Sequence, residues 1–187
     1  MNITENELIR LCKRKNASAQ KLLYNNYHSG LLGICLRYGK SRAEAEDILQ
    51  LGMISIFKNI SSYSGKGSFE GWMKRIMVNV AIDNFRKNNK FYHHQDIDEI
   101  NGKPYFASEI PDNLEVKDIL STIQQLPTGY RMVFNLFAIE GYSHKEIAQK
   151  LNISENTSKT QLLKARKSLR KKLLILDKLP SQNKNLK

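Results

Sequence analysis

Apolar residues recur at intervals of three and four along almost the whole chain, as at Leu8, Leu11 and Cys12 near its start. This spacing gathers apolar side chains on one face of an α-helix, whereas the strict alternation typical of β-strands is absent. The pattern predicts an all-α protein. The predicted helices span about 4–14, 17–28, 30–38, 42–60, 68–89, 114–125, 128–140, 144–151 and 155–175.

One segment, residues 91–113, interrupts the helical pattern. It contains two prolines, a glycine and five acidic residues against one basic residue. Such composition is typical of a linker and predicts two small helical domains, residues 1–90 and 114–178, joined by a flexible acidic connection. The second domain is expected to be a four-helix unit, and residues 179–187 a polar tail.

The charge balance indicates a polyanionic partner. Thirty Lys and Arg against eighteen Asp and Glu give a net charge of +12. The balance is +8 before the linker, −4 within it and +8 after it, which suggests two separate basic surfaces. A nucleic acid and an acidic membrane surface would both fit, but no helix sets Trp or Phe on one face against lysine on the other, as a membrane-surface helix would.

The cysteines and the N-terminus exclude several classes of protein. Cys12 and Cys35 lie in apolar helical stretches without the four-ligand spacing of a zinc site, so we expect buried free thiols and no metal or cofactor. The first residues lack a basic region followed by an apolar core, and no apolar run reaches about twenty residues. We therefore expect a cytoplasmic protein.

The strongest local motif covers residues 141–154. Gly141 is placed to end one helix, and Ser143 with Glu146 has the spacing of a capping box that starts the next. Asn152 can adopt the left-handed turn that ends this helix, and Ser154 can cap another. Together these signals predict a helix-turn-helix.

The second helix of this motif has the composition of a DNA-recognition helix. Leu162, Ala165 and Leu169 share one face, which we expect to be buried. The outer faces carry Asn156, Thr157, Lys159, Thr160, Lys164, Lys167 and Lys171. Short polar side chains near the N-terminus suit base edges and the later cations suit phosphates, although a helical hairpin with a solvated lysine face is the plainer alternative.

A second motif lies in the N-terminal domain. Helix 42–60 begins with acidic and amide residues, a glycine-containing loop that we expect to be flexible follows at 61–68, and helix 68–89 carries aromatic, amide and basic residues. Aromatic and amide groups beside cations suit the binding of unpaired bases. For this segment alone, an apolar helix with Phe69 and Trp72 facing the core is the commoner alternative.

Three segments together resemble the extracytoplasmic-function sigma factors of bacterial RNA polymerase. They are Ala45-Glu46-Asp47-Ile48-Leu49-Gln50, the series Phe69-x-x-Trp72-x-x-Arg75-Ile76-x-x-Asn79-x-x-x-Asp83-x-x-Arg86-Lys87, and the helix-turn-helix with Lys164-Ala165-Arg166-Lys167-Ser168-Leu169-Arg170. The resemblance covers nearly the whole chain outside the linker and tail. It implies a promoter-specificity factor without catalytic activity of its own.

The resemblance also implies roles for individual residues. Asp47, Gln50 and Leu51 would bind the clamp of the large polymerase subunit. Ser64, Phe69, Trp72, Asn79, Asp83 and Arg86 would bind the minus-ten element. Asn156, Thr157, Lys159, Thr160 and Lys164 would bind the minus-thirty-five element.

The partners that the resemblance implies are core RNA polymerase, promoter DNA and an anti-sigma factor, which in many family members is membrane-bound. No small-molecule substrate is expected. The acidic linker resembles the segment that the family threads toward the RNA exit channel. The chain departs from the family in having Leu51 where Glu is frequent, and Asn156-Thr157-Ser158 where Gly-Thr-Val is common.

Two other functions are compatible with parts of the sequence. A stand-alone transcription regulator would need a receiver or ligand domain, and the N-terminal half lacks the alternating strands of a receiver. A metal-dependent nuclease could use His93, His94, Asp96, Asp98 and Glu99, but these residues lie in a turn-rich segment without the rigid support that metal sites need.

Overall fold

The computed structural model describes residues 3–89 and 114–176, here called the N-terminal half and the C-terminal half. Every regular element in these two ranges is helical, which confirms the all-α prediction. The α-helices are α1 (Glu5–Lys13), α2 (Ala17–Tyr38), α3 (Arg42–Asn59), α4 (Phe69–Asn89), α5 (Leu114–Gln124), α6 (Thr128–Phe134), α7 (His144–Leu151) and α8 (Glu155–Leu176). The predicted linker, the five residues of the nuclease hypothesis and the tail lie outside the described residues, and the predicted domain boundaries remain predictions.

Polar side chains set the starts of the first three helices. The side chains of Thr4, Asn16 and Ser41 each accept a hydrogen bond from the backbone amide three residues later. These bonds satisfy amide groups that have no partner inside the helix, so the three starts are encoded locally.

Helix α2 is the one clear error in the predicted elements. The sequence predicted two helices, 17–28 and 30–38, but the structure contains a single helix through Ser29 and Gly30. A glycine inside a helix costs only about 1 kcal/mol relative to alanine. Burial of Leu23 and Leu31 on either side outweighs that cost and keeps the helix continuous.

The core of the N-terminal half forms where α2, α3 and α4 pack against one another. Ile48 and Ile56 of α3 and Met73 and Met77 of α4 are fully buried there. The two helices approach so closely that a Cβ added at Gly52 would overlap the thioether of Met77. A larger residue at position 52 would therefore force the buried Met77 side chain to shift.

In the C-terminal half, α5–α8 form the predicted four-helix unit, with α8 packed on α6 and α7. The predicted helix 128–140 is wound differently at its end, because α6 passes into a π-helical turn at Asn135–Ile139. Fully buried Arg131 donates to the carbonyl of Gln124, the last residue of α5, at 2.9 Å and to that of Leu126 at 3.3 Å. Burial lowers the pKa of Arg131 to about 10.

The two halves are in contact with each other. One cluster of buried apolar side chains contains residues of both, among them Leu36 and Tyr38 of α2 and Met132 and Leu136 of the C-terminal half. No helix within residues 3–89 and 114–176 is long and apolar enough to cross a membrane.

Candidate nucleic-acid and polymerase interfaces

The first helix of the helix-turn-helix begins as the sequence predicted. Gly141 has a φ of 78°, a backbone conformation that favours glycine, and separates α7 from the preceding π-helical turn. The Ser143 amide donates to the Glu146 carboxylate at 2.8 Å, and the Glu146 amide donates to the Ser143 hydroxyl at 3.3 Å. Hydrogen bonds from Ser143 hold the pKa of Glu146 below its ordinary value. The capping box is therefore confirmed.

The turn between the two helices is also confirmed. Asn152 is left-handed, with φ 56° and ψ 49°, and its amide donates to the carbonyl of Ala148. Ser154 accepts a hydrogen bond from the amide of Thr157 at 3.0 Å, which caps the start of α8. Because every bond joins residues close in sequence, this turn is fixed locally.

Helix α8 presents a polar and basic face to solvent. Leu162, Ala165 and Leu169 are buried, as predicted. All five residues assigned to the minus-thirty-five element are exposed: Asn156, Thr157, Lys159, Thr160 and Lys164. The Lys159 ammonium lies 3.8 Å from the Glu155 carboxylate, and the Lys164 ammonium lies 5.9 Å from the centre of the Tyr130 ring.

Sequence reasoning missed Leu163 on the same face of α8. Its side chain is 70% exposed, the largest exposed fraction among the large apolar residues described. At 100° per residue, Leu163 lies about 40° from Lys159 around the helix axis. That angle, calculated from the sequence, would have placed an apolar group among the polar outer residues.

Ser158 differs from the rest of the exposed motif because it is fully buried. Its hydroxyl lies 2.9 Å from Nδ1 of His144, the first residue of α7. The His144 ring stacks on Phe137 with centroids 4.6 Å apart. The sequence identified Ser158 as unusual but gave no sign of its partner, and the hydrogen bond joins the two helices of the motif.

The loop before α4 is held by hydrogen bonds rather than being wholly flexible. The Tyr63 hydroxyl donates to the carbonyl of Gly67 at 2.7 Å, and the Lys13 ammonium donates to the Tyr63 carbonyl at 2.8 Å. Gly65 and Gly67 both have a φ of 78°. Ser64 lies exposed within this closed loop.

Phe69 lies inside the protein, in contrast to the base-contacting role expected of it. Its side chain is 1% exposed and stacks on Trp72, with ring centroids 5.7 Å apart. Tyr63 packs against both rings. Phe69 in this conformation cannot contact a base and instead supports the half-buried Trp72 and the loop.

The other minus-ten candidates form an exposed stripe on α4. Asn79, Asp83 and Arg86 follow one another at spacings of four and three residues, and all three are exposed. The Arg86 guanidinium lies 3.6 Å from the Asp83 carboxylate. Arg86 also donates to the carbonyl of Gln149 in α7, 3.1 Å away, so it contacts the helix-turn-helix.

Helix α3 carries the candidate polymerase surface. Asp47, Gln50 and Leu51 are all exposed. Sequence reasoning missed Ile54, which lies three residues beyond Leu51, and both side chains are 50% exposed. Asp47, Leu51 and Ile54 share one side of α3, because they follow one another at spacings of four and three residues.

Within the described residues, no three His, Cys, Asp or Glu side chains are grouped as metal binding would require. Cys12 and Cys35 are free and buried, as expected. Burial raises the pKa of the Cys35 thiol to about 12, so this group is un-ionised at neutral pH.

Comparison with family models agrees with the two-part layout. Residues 23–91 match Sigma-70 region 2, and residues 117–169 match Sigma-70 region 4. In the structure these ranges hold the α3–α4 surfaces and the helix-turn-helix, respectively.

Relatives of known function cover most of the chain. The ECF RNA polymerase sigma factor SigW of Bacillus subtilis is 31% identical over 176 residues, which is 88% of this chain and 94% of SigW. SigX of the same organism is 29% identical and covers 83% of this chain and 84% of its own. The ECF RNA polymerase sigma-E factor of Escherichia coli is 25% identical and covers 91% and 95%.

A solved structure supports the fold. The sigma factor RpoE from Bartonella quintana, in complex with the anti-sigma factor NepR, superposes with a TM-score of 0.51. The match has 18% sequence identity and covers 83% of this chain and 96% of that chain. The identity to SigW over nearly the whole length, with both sigma regions in order, shows that the chain belongs to the ECF RNA polymerase sigma factors.

Proposed function

We propose that this sigma factor, which directs promoter-specific transcription initiation, divides its work among three surfaces. Helix α3 binds core RNA polymerase, the loop 61–68 with α4 binds the minus-ten element, and α8 binds the minus-thirty-five element. The observation that carries the proposal is that the exposed polar face of α8 is held by a complete helix-turn-helix. Membership in this family sets aside the stand-alone regulator and the nuclease.

The α8 surface has the chemistry of major-groove recognition. Asn156 and Thr157, in its first turn, offer short donors and acceptors to base edges, while Lys164 and Lys167 offer cations to phosphates further along. Leu163 adds an exposed apolar group, which suits contact with a thymine methyl.

The minus-ten surface combines an exposed amide with a rigid aromatic support. The Asn79 side chain can donate and accept along the edge of an unstacked base. The rings of Tyr63, Phe69 and Trp72 pack together beside the loop. Phe69 therefore contributes by holding the loop in place, and Ser64 and Trp72 are the groups available to bases. Asp83 and Arg86 complete the stripe.

The polymerase surface on α3 combines Asp47 and Gln50 with apolar Leu51 and Ile54. Leu51 replaces a frequent glutamate, so binding here relies more on apolar contact and less on charge. We further propose that the protein works in the cytoplasm and that an anti-sigma factor controls it, as NepR binds RpoE in the related structure.

The experiment is quantitative binding of the purified protein to core polymerase. Asp47→Ala should weaken binding by about 10- to 150-fold, since hydrogen bonds to a charged group contribute roughly 1.5–3 kcal/mol. Glu7→Ala is the matched control, because Glu7 is also a carboxylate near a helix start but lies on α1. Equal affinities of wild type and Asp47→Ala, with unchanged circular dichroism, would contradict the α3 assignment.

A further inference from the structure

We propose that helix α1 positions the loop 61–68 for minus-ten recognition, and that Lys13 is the positioning residue that fixes the loop backbone. The inference deepens the proposed function and rests on it, because that proposal assigns minus-ten binding to this loop and α4. Helix α1 lies before residues 23–91, the range that matches Sigma-70 region 2. The match to region 2 therefore assigns no role to Lys13.

Lys13 contacts the loop at the point where its backbone becomes extended. The Lys13 ammonium donates to the Tyr63 carbonyl at 2.8 Å, across 50 positions of sequence. Tyr63 follows the 3-10 turn Ile60–Ser62, and its φ of −67° and ψ of 113° are extended. The bond therefore holds the residue at which the chain leaves the helical turn and enters the loop.

The Lys13 side chain begins on a rigid element. Helix α1 is anchored to the core by three buried side chains, Leu8, Ile9 and Cys12. After Lys13 the chain turns tightly, since the Lys15 amide donates to the Cys12 carbonyl at 2.9 Å. A lysine has a flexible four-carbon stem, so its ammonium can fix a loop only when the backbone that carries it is itself fixed.

A second contact connects α1 to the other end of the loop. The Tyr27 hydroxyl of α2 donates to the Glu5 carboxylate at 2.7 Å. The Tyr27 ring meets the ring of Phe69, the first residue after the loop, edge to face with centroids 6.0 Å apart. Glu5 therefore holds the ring that packs at the end of the loop, while Lys13 holds its beginning.

The contacts inside the loop close it but do not attach it to the core. Gly65 and Gly67 both have a φ of 78°, and glycine has more backbone freedom than any other residue. The Tyr63 hydroxyl donates to the Gly67 carbonyl at 2.7 Å, which joins the two sides of the loop. A loop closed in this way can still move as a unit, and the Lys13 bond connects that unit to α1.

The position of the loop affects which bases it selects. A hydrogen bond weakens steeply away from its preferred geometry, so a mobile loop distinguishes correct from incorrect bases less well than a fixed one. A loop that must first be ordered also binds less tightly, because the ordering entropy is lost on binding. Loss of the Lys13 bond should therefore lower the preference among minus-ten bases.

The competing role for Lys13 is direct contact with a DNA phosphate, because the residue is exposed. Removal of a phosphate contact weakens binding to all sequences alike and reduces the slope of the salt dependence by about one unit. Removal of a positioning bond instead changes the preference among bases and leaves that slope unchanged. The two roles are therefore separable by experiment.

The test uses four substitutions in the full chain. Lys13→Met keeps the aliphatic stem and removes the ammonium, whereas Lys13→Arg retains a cationic donor. Tyr63→Phe removes the hydroxyl bond to Gly67 and leaves the Tyr63 carbonyl in place. Lys21→Met removes an exposed lysine of α2 and is the matched control for charge.

The first measurement is the fluorescence of Trp72, the only tryptophan in the sequence. Its ring packs against Phe69 and Tyr63, with centroids 5.7 and 5.6 Å away, so it reports the state of the loop in the free protein. Quenching of this fluorescence by acrylamide should rise for Lys13→Met, with an unchanged circular dichroism spectrum. Lys13→Arg and Lys21→Met should match wild type.

The second measurement is transcription with core polymerase from a panel of single-base minus-ten variants, with promoter binding at two salt concentrations. Lys13→Met should lower the ratio of preferred to disfavoured base by about 2- to 10-fold at one or more positions, the factor that corresponds to one hydrogen bond. Lys13→Arg should restore the ratio. Tyr63→Phe should lower it at the same positions, and the double variant by less than the product, because both changes release one loop.

Unchanged base preference or unchanged quenching in Lys13→Met would overturn the inference. Equal weakening of all minus-ten variants with a shallower salt dependence would indicate a phosphate contact and would overturn it too. Asn79→Ala separates these results from the proposed function: if it alters the base preference and Lys13→Met does not, only the inference fails. If neither Asn79→Ala nor Tyr63→Phe alters the preference, the minus-ten assignment fails, and quenching still decides whether Lys13 holds the loop.

Discussion

The hydrogen bond between Ser158 and His144 should couple the two helices of the recognition motif. Ser158→Ala removes a buried hydroxyl whose oxygen lies 2.9 Å from the His144 ring nitrogen. A hydrogen bond contributes about 0.5–1.5 kcal/mol net. Alanine regains up to about 0.5 kcal/mol through its higher helix propensity. We therefore expect a net loss of about 0–1 kcal/mol in the free energy of unfolding.

His144→Ala should cost more than Ser158→Ala, because the ring also stacks on Phe137. An aromatic pair contributes about 0.5–1.5 kcal/mol beyond its buried area, so together with the hydrogen bond the total loss should be about 1–3 kcal/mol. The double variant should lose about 1 kcal/mol less than the sum of the two, since both single changes break the same bond.

The assay is urea unfolding of the wild type, both single variants and the double variant, followed by circular dichroism. Ser168→Ala serves as a control substitution later in α8. A coupling energy below about 0.3 kcal/mol would refute the reasoning, because independent sites add within that margin. Such a result would mean that the serine hydroxyl bonds to its own helix instead.

Three further predictions concern DNA binding and pH. Asn79→Ala should change the relative transcription of single-base minus-ten variants; identical proportions in wild type and variant would contradict a role in specificity. Lys159→Ala should relax the preference at one minus-thirty-five position and lower the free energy of DNA binding by roughly 1–3 kcal/mol. Lys164→Ala should instead weaken binding to all sequences alike and reduce the slope of its salt dependence by about one unit. Binding measured at two salt concentrations distinguishes the two, and the opposite pattern would reverse these roles. Because the pKa of Glu146 is lowered, the stabilisation of α7 by its carboxylate is present above pH 4.5 and is lost as the pH falls through the lowered pKa. The difference in free energy of unfolding between wild type and Glu146→Ala should therefore disappear in acid, as unfolding measurements at several pH values would show.

The sequence by itself determined the helix-turn-helix. Gly141, Ser143 and Glu146, Asn152 and Ser154 each act on backbone groups within a few residues, so their effects can be deduced from spacing alone. The outward face of α8 followed for the same reason, because the period of an α-helix fixes which side chains share a side.

Local signals were insufficient where packing outweighed them. The sequence around Gly30 predicted two helices, 17–28 and 30–38. Buried side chains on both sides of Gly30 keep α2 a single helix. The segment around Phe69 has the composition of a base-binding site. Only the positions of Tyr63 and Trp72 show that the Phe69 ring is enclosed. Residue spacing predicted a break in α2 and offered a core position for Phe69 only as an alternative, so spacing alone decided neither outcome.

The contact between the two halves was decided by tertiary structure alone. The Arg37–Glu140 pair joins residues 103 positions apart, and the Gln124–Leu36 bond joins residues 88 apart. A charge or an amide in a sequence has many possible partners at such separations. Which one it meets depends on how whole helices pack, and that choice follows from the summed burial of the core rather than from any local pattern.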